Sequence, residues 1–226
     1  MTLKEYFKQN QVNEKDFDSV QMLQIRAGLE ENLDVSQYAD PKFNSYKMSQ
    51  IRENLLNQKY KVYEYLESQN YKKEDFDENQ MRQIRLGLEE NLDVSQYADP
   101  KFNSYQMSEI RKGLEAGLDI LKYADTKFNS FQMWQIRWGL RKNLDVSWYA
   151  KPEFDWEQME QIRLGLESKL DISWYANPEF DYQQMWVIRE GLESKLDVSQ
   201  YANSKLSWTK MHKIRNDYLK QKKWKN

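Results

Sequence analysis

The chain has 226 residues, a net charge of −2, 39% hydrophobic residues and 14% aromatic residues, so much of its apolar surface belongs to large rings. It contains no cysteine, one histidine, seven glycines and four prolines. These counts exclude disulfides, thiolate chemistry and histidine-based metal clusters, and they argue against a β-sandwich, which needs many turn residues.

The N-terminal segment is expected to form an end-cap helix. It reads LKEYFKQNQVNEKDF and has no long apolar run, so neither a signal peptide nor a membrane anchor is expected. We therefore expect a cytoplasmic protein without a membrane partner. Charge is uneven along the chain, because residues 210–226 carry a net +6 and the remainder carries −8.

Methionines mark a repeat that follows this leader. Met22 and Met48 lie 26 residues apart, and after one gap of 33 the interval continues through Met81, Met107, Met133, Met159, Met185 and Met211. A repeat of this length is typical of solenoids, in which stacked units bury surface that one unit cannot bury alone. The predicted fold class is all-α: an α-solenoid of eight short tandem helical repeats, each a long helix plus a one-turn helix, with end-cap helices.

The unit that begins at Phe154 shows the expected order of elements. Asp155 is a typical N-cap, and Gln158 occupies the position of its capping-box partner. Apolar residues then recur at spacings of three and four, which predicts an amphipathic helix of about 14 residues. Asp171 is expected to cap the one-turn helix, which ends before Pro178.

Glycine and arginine recur at fixed positions of the repeat. Six units carry a glycine in mid-helix, where it costs about 1 kcal/mol relative to alanine. Close approach of a neighbouring backbone is the expected reason, and ligand contact is the alternative; Asn54 and Asp217 replace this glycine in two units. An arginine follows the central isoleucine in all eight units. We expect its planar fork to serve structure, and a ladder of phosphate sites is the alternative.

A longer duplication suggests two domains. The sequence GLEENLDVSQYADPKFNSY occurs at 28–46 and again at 87–105, and VYEYLESQNYKKEDF echoes the leader before the third unit. We predict a cap helix with repeats 1–2 over 1–60, and a cap helix with repeats 3–8 and a basic C-terminal tail over 61–226. The tail is expected to form a polar end of the array; an electrostatic arm is the alternative.

Tryptophan is confined to the later units, and all eight tryptophans lie after residue 133. Many aromatic residues fall three before, one after or five after the repeat methionine, positions that share one flank of a helix. Earlier units carry mainly serine, glutamate or lysine there. The expected partner-binding residues are Trp134, Trp138, Trp148, Trp156, Trp174, Tyr182, Trp186, Trp208 and His212. Of these, Trp134, Trp138, Trp156, Trp186 and Trp208 are expected to form one continuous strip, with Trp148 and Trp174 at its border. Packing of these rings as extra core is the alternative.

The motif QMxxIRxGLExxLDVSxYAxP resembles short helical repeats of uncharacterised proteins from phages and integrative elements of Gram-positive bacteria. The match runs from Phe17 onward except around 56–75; the second unit lacks the LDVS segment, and the last unit is degraded. The resemblance implies a mobile-element accessory protein. By gene context it further implies an inhibitor of a host defence nuclease or its complex.

Patterns of known catalytic chemistry are missing from the sequence. The segment DVSQYAD from Asp34 superficially resembles a calcium loop but lacks the glycine and glutamate that such a loop requires. His212 has no recognisable activating partner. We expect no enzyme activity, cofactor or metal, and we favour a non-catalytic protein that binds another protein through its tryptophans. The alternatives are a nucleic-acid binder that uses tryptophan stacking and the basic tail, and an enzyme with an unrecognised site.

Overall fold

The computed structural model describes residues 1–223. Regular secondary structure in this range is helical, and these residues form no β-strand. The α-helices in this range are α1 (Leu3–Gln9), α2 (Ser19–Glu30), α3 (Ser45–Ser68), α4 (Glu78–Glu89), α5 (Ser104–Glu115), α6 (Ser130–Arg141), α7 (Trp156–Glu167), α8 (Tyr182–Glu193) and α9 (Trp208–Lys223). One-turn 3-10 helices lie at Glu14–Asp16, Val35–Gln37, Lys73–Asp75, Val94–Gln96, Ile120–Lys122, Val146–Trp148 and Ile172–Trp174. Successive α-helices pack on their neighbours, which confirms the predicted α-solenoid of short repeats. The last three residues of the predicted basic tail, 224–226, lie outside the described range.

The repeat helices begin where the capping pattern predicts. In α7, the Asp155 carboxylate accepts a hydrogen bond from the backbone N–H of Gln158 (2.7 Å), whose side chain in turn accepts one from the N–H of Asp155 (2.8 Å). The same reciprocal pair opens α2, α5, α6 and α8. These bonds satisfy backbone donors that the first turn of a helix leaves unpaired.

The same glutamine also joins one repeat to the next. Gln158 Nε2 donates to the carbonyls of Phe180 (2.6 Å) and Pro178 (3.2 Å), at the start of the following repeat. An equivalent bond to the carbonyl 22 residues further on is made by Gln21, Gln106, Gln132 and Gln184. One side chain therefore caps its own helix and holds the next unit in place.

The repeat helices end earlier than the apolar stripe predicts, and α5–α8 have 12 residues each. In α7 the residue after the C-cap, Lys169, has a positive φ of 54°. Its N–H bonds the Leu166 carbonyl (3.0 Å), and the N–H of Leu170 bonds the Gly165 carbonyl (2.9 Å). This Schellman motif reverses the chain immediately after the helix.

The mid-helix glycines make room for a tyrosine of the same repeat, so the expected approach of a neighbouring backbone is wrong. A Cβ on Gly165 would overlap the hydroxyl oxygen of Tyr175 and lie 2.8 Å from Ile172 Cγ2. The buried hydroxyl donates to the Gln161 carbonyl at 3.2 Å. A tyrosine ten residues further on occupies the same space at Gly28, Gly87, Gly113, Gly139 and Gly191.

The unit with Asn54 in place of this glycine also lacks the tyrosine, because α3 continues as α-helix through 61–63, the positions that correspond to the one-turn helix Val35–Gln37 of the first unit. In this unit and in the last one, which has Asp217 in place of the glycine, a lysine lies over the end of the preceding helix. Lys59 Nζ donates to the Glu31 carbonyl (2.6 Å), and Lys222 Nζ donates to the Ser194 carbonyl (2.8 Å). A cation at these unpaired C-terminal carbonyls is favourable. Part of the predicted tail thus contributes directly to packing.

Contacts between residues divide the chain within α4 into two compact units, Met1–Arg85 and Leu86–Asn226. In the first unit α1 packs on α2, and the Phe7 and Phe17 rings stack with centroids 5.5 Å apart. The predicted boundary at 60/61 falls inside α3, which contains both the second repeat methionine and the predicted second cap helix. The organisation as two repeat arrays stays a prediction.

In the second unit, α5 to α9 pack consecutively. The repeat methionine and isoleucine form the buried side of each helix from α5 to α8; Met159 and Ile162, for example, have no exposed surface. Positions on the other flank stay at least partly exposed, and these positions carry the aromatic residues. Among the described residues, no helix has both the length and the apolar character needed to cross a membrane.

Candidate partner-binding face

The residues expected to bind a partner lie on α6 to α9 and on the one-turn helices that follow α6 and α7. Their exposed fractions are 38% for Trp134, 41% for Trp148, 37% for Trp156, 40% for Trp174 and 42% for Tyr182. Four others are half-buried: Trp138, Trp186, Trp208 and His212. A ring in this range both packs on the protein and presents apolar area to solvent. The expected binding surface and the alternative of extra core therefore each describe part of these rings.

Two ring pairs lie on α6 and at the start of α7. The rings of Trp134 and Trp138 stack with their centroids 5.9 Å apart and their planes 17° apart. The Phe131 and Trp156 rings lie 5.8 Å apart across the two helices. Because α6 rotates about 100° per residue, Phe131, Trp134 and Trp138 project from one side of it.

Phe131 was not among the expected site residues, although it is 63% exposed. The signal that reveals it is a further aromatic position of the repeat, two residues before the repeat methionine. We call the equivalent positions of successive repeats a column. That column contains Tyr46 and Tyr105, which are 70% and 74% exposed. The exposed aromatic positions of the repeat therefore include this column as well.

A second cluster lies on α8 and α9. Trp186 stacks on His212 with the centroids 5.8 Å apart and the planes at 16°, and Trp208 meets His212 edge-on at 6.3 Å. Asn216 Nδ2 lies 3.3 Å from His212 Nδ1, which orients the imidazole. His212, the one histidine of the chain, thus links two tryptophans.

The expected single strip of rings is divided in the structure. In the described part of the chain, no aromatic contact joins the α6–α7 rings to the α8–α9 cluster. Trp148, Trp174 and Tyr182 make no ring–ring contact with any described aromatic residue. The structure therefore presents two aromatic clusters and three separate exposed rings.

Repeat arginines of the later units bond to the preceding unit, as the structural interpretation predicts, whereas Arg26 of the first unit is exposed. Arg163 Nε donates to Gln135 Oε1 (2.8 Å) on the preceding helix, and its terminal nitrogen pairs with Glu167 on its own helix. Arg189 repeats both bonds with Gln161 and Glu193. The side chains of these arginines are occupied within the protein, which argues against a ladder of phosphate sites.

The same arginines cover tryptophans of the preceding repeat. The guanidinium carbon of Arg163 lies 5.9 Å from the Trp134 ring centroid, and that of Arg215 lies 5.5 Å from the Trp186 centroid. In both cases the arginine belongs to the next unit and the tryptophan follows the repeat methionine. The cation–π contact fixes the orientation of rings that solvent also reaches.

Burial lowers the pKa of Arg215, which lies over the Trp186 ring, and other shifted groups lie in the caps and interiors of the repeats. A hydrogen bond from the Ser147 hydroxyl lowers the pKa of Asp145 at the start of a one-turn helix. Burial raises the pKa of Tyr149 and of Tyr175 inside their repeats. Both kinds of shift follow from capping and packing. Within residues 1–223, no group of three or more His, Cys, Asp or Glu is placed to hold a metal ion.

Comparison with protein-family models gives no match, and neither curated proteins nor solved structures match the chain. The resemblance of the repeat motif to proteins of phages and integrative elements therefore stays a prediction.

Proposed function

We propose that this chain is a non-catalytic helical-repeat protein that binds another protein through the aromatic clusters of α6 to α9. The observation that carries the proposal is the placement of large rings at positions where earlier repeats have serine or lysine. Ser108 and Lys112 of α5, for example, occupy the positions that Trp134 and Trp138 occupy in α6. The fold does not need a ring there, and partly exposed rings grouped on a surface are typical of interaction sites.

Rigid rings suit this role energetically. A tryptophan loses little conformational freedom on binding, and those near the centre of an interface contribute about 2 kcal/mol or more each. The cation–π contacts of Trp134 and Trp186 hold these rings in place before a partner arrives. Such preorganisation reduces the entropy lost in complex formation.

Binding to single-stranded nucleic acid is the alternative function, and the ring environments argue against it. Base stacking needs an open ring face, but Trp134, Trp138 and Trp186 each already have a cation and another ring within about 6 Å of their centroids. The chain outside its C-terminal segment is also acidic, which repels a long polyanion.

A more specific role follows from the motif resemblance alone. A mobile-element protein with this architecture would inhibit a host defence nuclease, or a complex that contains one, by occupying its surface. We include this role in the proposal because a helical-repeat scaffold with partly exposed rings suits an inhibitor that blocks sterically.

The test is capture of a protein partner by the full chain, followed by measurement of its affinity for variants. Trp134→Ala and Trp186→Ala should each weaken binding about tenfold or more. The matched control is Tyr46→Ala, which removes an exposed ring (70%) from the first unit, and it should bind normally.

Thermal melting of the same variants separates binding from stability. A fully buried tryptophan costs about 3–5 kcal/mol when truncated to alanine, whereas these partly exposed rings should cost less. A folded double variant that retains full affinity for the partner would refute the proposal. A nucleic-acid ligand whose affinity falls steeply with salt would favour the alternative.

A further inference from the structure

At the end of its helix, the fifth repeat carries positive charge at a position where most other repeats carry negative charge. Eight residues after the methionine, five repeats carry glutamate (Glu30, Glu89, Glu115, Glu167 and Glu193), whereas the fifth carries Arg141. The next residue is Lys142, where the first and third repeats again have glutamate. Residues 126–144 contain four Lys or Arg and no Asp or Glu. This is a locally cationic segment of a chain that is otherwise acidic outside residues 210–226.

Arg141 cannot form the ion pair that the glutamate forms with the repeat arginine in other units. A glutamate of the preceding repeat pairs with the arginine of the fifth repeat in its place. In α7 and α8 this glutamate pairs with the repeat arginine one turn earlier, as Glu167 does with Arg163. In the fifth repeat, Arg137 Nε instead donates to Glu109 Oε2 of α5 at 2.8 Å, and both side chains are buried. Residue 141 therefore does not take part in the ion pair that this position forms with the repeat arginine in α7 and α8.

Arg141 and Lys142 lie beside the half-buried ring of Trp138. The Arg141 guanidinium carbon lies 5.6 Å, and Lys142 Nζ 6.0 Å, from the centroid of the Trp138 ring. Neither forms an ion pair with a described residue. Helix geometry places Phe131, Trp134, Trp138, Arg141 and Lys142 within an arc of about 100° and a length of about 16 Å. We call these five residues the α6 face.

We propose that the α6 face binds an acidic segment of the protein partner, a statement that rests on the proposed function and names the chemistry of its partner. Carboxylates of the segment meet Arg141, whose fork suits them, and Lys142. Apolar side chains of the same segment pack on Phe131 and Trp134. Charged groups at the edge of aromatic anchors set orientation and association rate.

The charges around the α6 face favour a short acidic peptide over a nucleic acid. Glu157, Glu160 and Glu167 lie on α7, which packs directly on α6. A long polyphosphate chain would meet these carboxylates as soon as it left the α6 face, whereas a segment of a few residues fits within it. The cations already on Trp138 also occupy area that a stacked base would need.

The competing explanation is that Arg141 and Lys142 only stabilise the negative end of the α6 dipole. That role predicts a change in melting temperature without any change in binding. The two roles therefore differ in a measurable way.

The experiment uses the full chain and three fluorescein-labelled probes, with binding followed by fluorescence anisotropy. The probes are a dodecapeptide that alternates Asp or Glu with Leu or Phe, the same peptide with lysine at every acidic position, and an oligothymidine of equal length. The test variant is R141E/K142E, which gives the fifth repeat the two glutamates found at these positions in the first and third repeats. The control is K151E/K205E, which makes the same charge change at exposed positions outside the α6 face.

We expect saturable binding of the acidic peptide alone, weakened about tenfold or more by R141E/K142E and by salt near 0.5 M, and kept by the control. Melting curves confirm that both variants fold. Failure of the acidic peptide to bind, equal weakening by both variants, or tighter binding of the oligothymidine would each overturn the inference.

The captured partner distinguishes failure of this inference from failure of the proposed function. If R141E/K142E binds the partner normally while Trp134→Ala does not, the aromatic face is correct and the acidic segment is wrong. If neither variant affects the partner, both are wrong.

Discussion

The tyrosine that fills the space beside each mid-helix glycine reverses the usual effect of replacing glycine with alanine. In an ordinary helix interior this substitution stabilises by about 1 kcal/mol. In α7, the new methyl group of Gly165→Ala would overlap the Tyr175 hydroxyl and crowd Ile172 Cγ2, 2.8 Å away. Tyr175 must then leave its buried position and its 3.2 Å hydrogen bond to the Gln161 carbonyl.

The magnitude follows from these contacts. Loss of a buried hydrogen bond that leaves its partners unsatisfied costs about 1–3 kcal/mol, and overpacking costs about 1–3 kcal/mol more. After the gain in helix propensity, Gly165→Ala should lower the free energy of unfolding by between about 1 and 5 kcal/mol. Asn54→Ala, at the same repeat position in a unit without the tyrosine, should instead stabilise by about 0.5 kcal/mol.

A double-mutant cycle identifies the cause. Tyr175→Phe removes the overlapping oxygen and leaves the ring carbon 3.1 Å from the new Cβ, so it should relieve part of the damage in Gly165→Ala. The coupling, measured by urea unfolding with circular dichroism, should be favourable by about 1 kcal/mol or more. If Gly165→Ala stabilised the protein as Asn54→Ala does, the tyrosine would not be the reason for the glycine.

Other predictions follow from single contacts. Lys169→Asn should raise the free energy of unfolding by about 0.5–1 kcal/mol, because asparagine tolerates the positive φ of 54° better than lysine; an unchanged urea midpoint would contradict this. Burial raises the pKa of Tyr201 from 10.0 to about 12, because the fold favours the neutral phenol. The stability that depends on this neutral phenol should be complete below pH 10 and decrease as the pH rises towards 12. Urea midpoints measured across this range should show the decrease, and Tyr201→Phe should reduce it. Arg163→Lys should lower the melting temperature with partner affinity near normal, because lysine loses the fork; unchanged melting with lost binding would reverse that assignment. Deletion of 220–226 should lower the melting temperature through loss of Lys222, with partner binding retained; loss of binding at moderate salt would identify the tail as an electrostatic arm.

The sequence alone determined the repeat period, the capping positions and the confinement of tryptophan to the later units. These features depend on residues three or four apart, where helix geometry relates spacing directly to a shared face. The pair Asp155 and Gln158 therefore predicted the start of α7 correctly. The length of α7 was overestimated, since Lys169 gives no compositional signal for a left-handed residue.

Only the tertiary structure decided how the repeats fit together and how the rings are grouped. The contact of Gly165 with Tyr175 spans ten residues, and the bond of Arg163 to Gln135 spans 28. Their geometry depends on the path of the chain between the elements, which spacing does not specify. For the same reason, the sequence identified the aromatic columns, but the division into two clusters and the cations that cover Trp134 and Trp138 required the packing of one helix on the next.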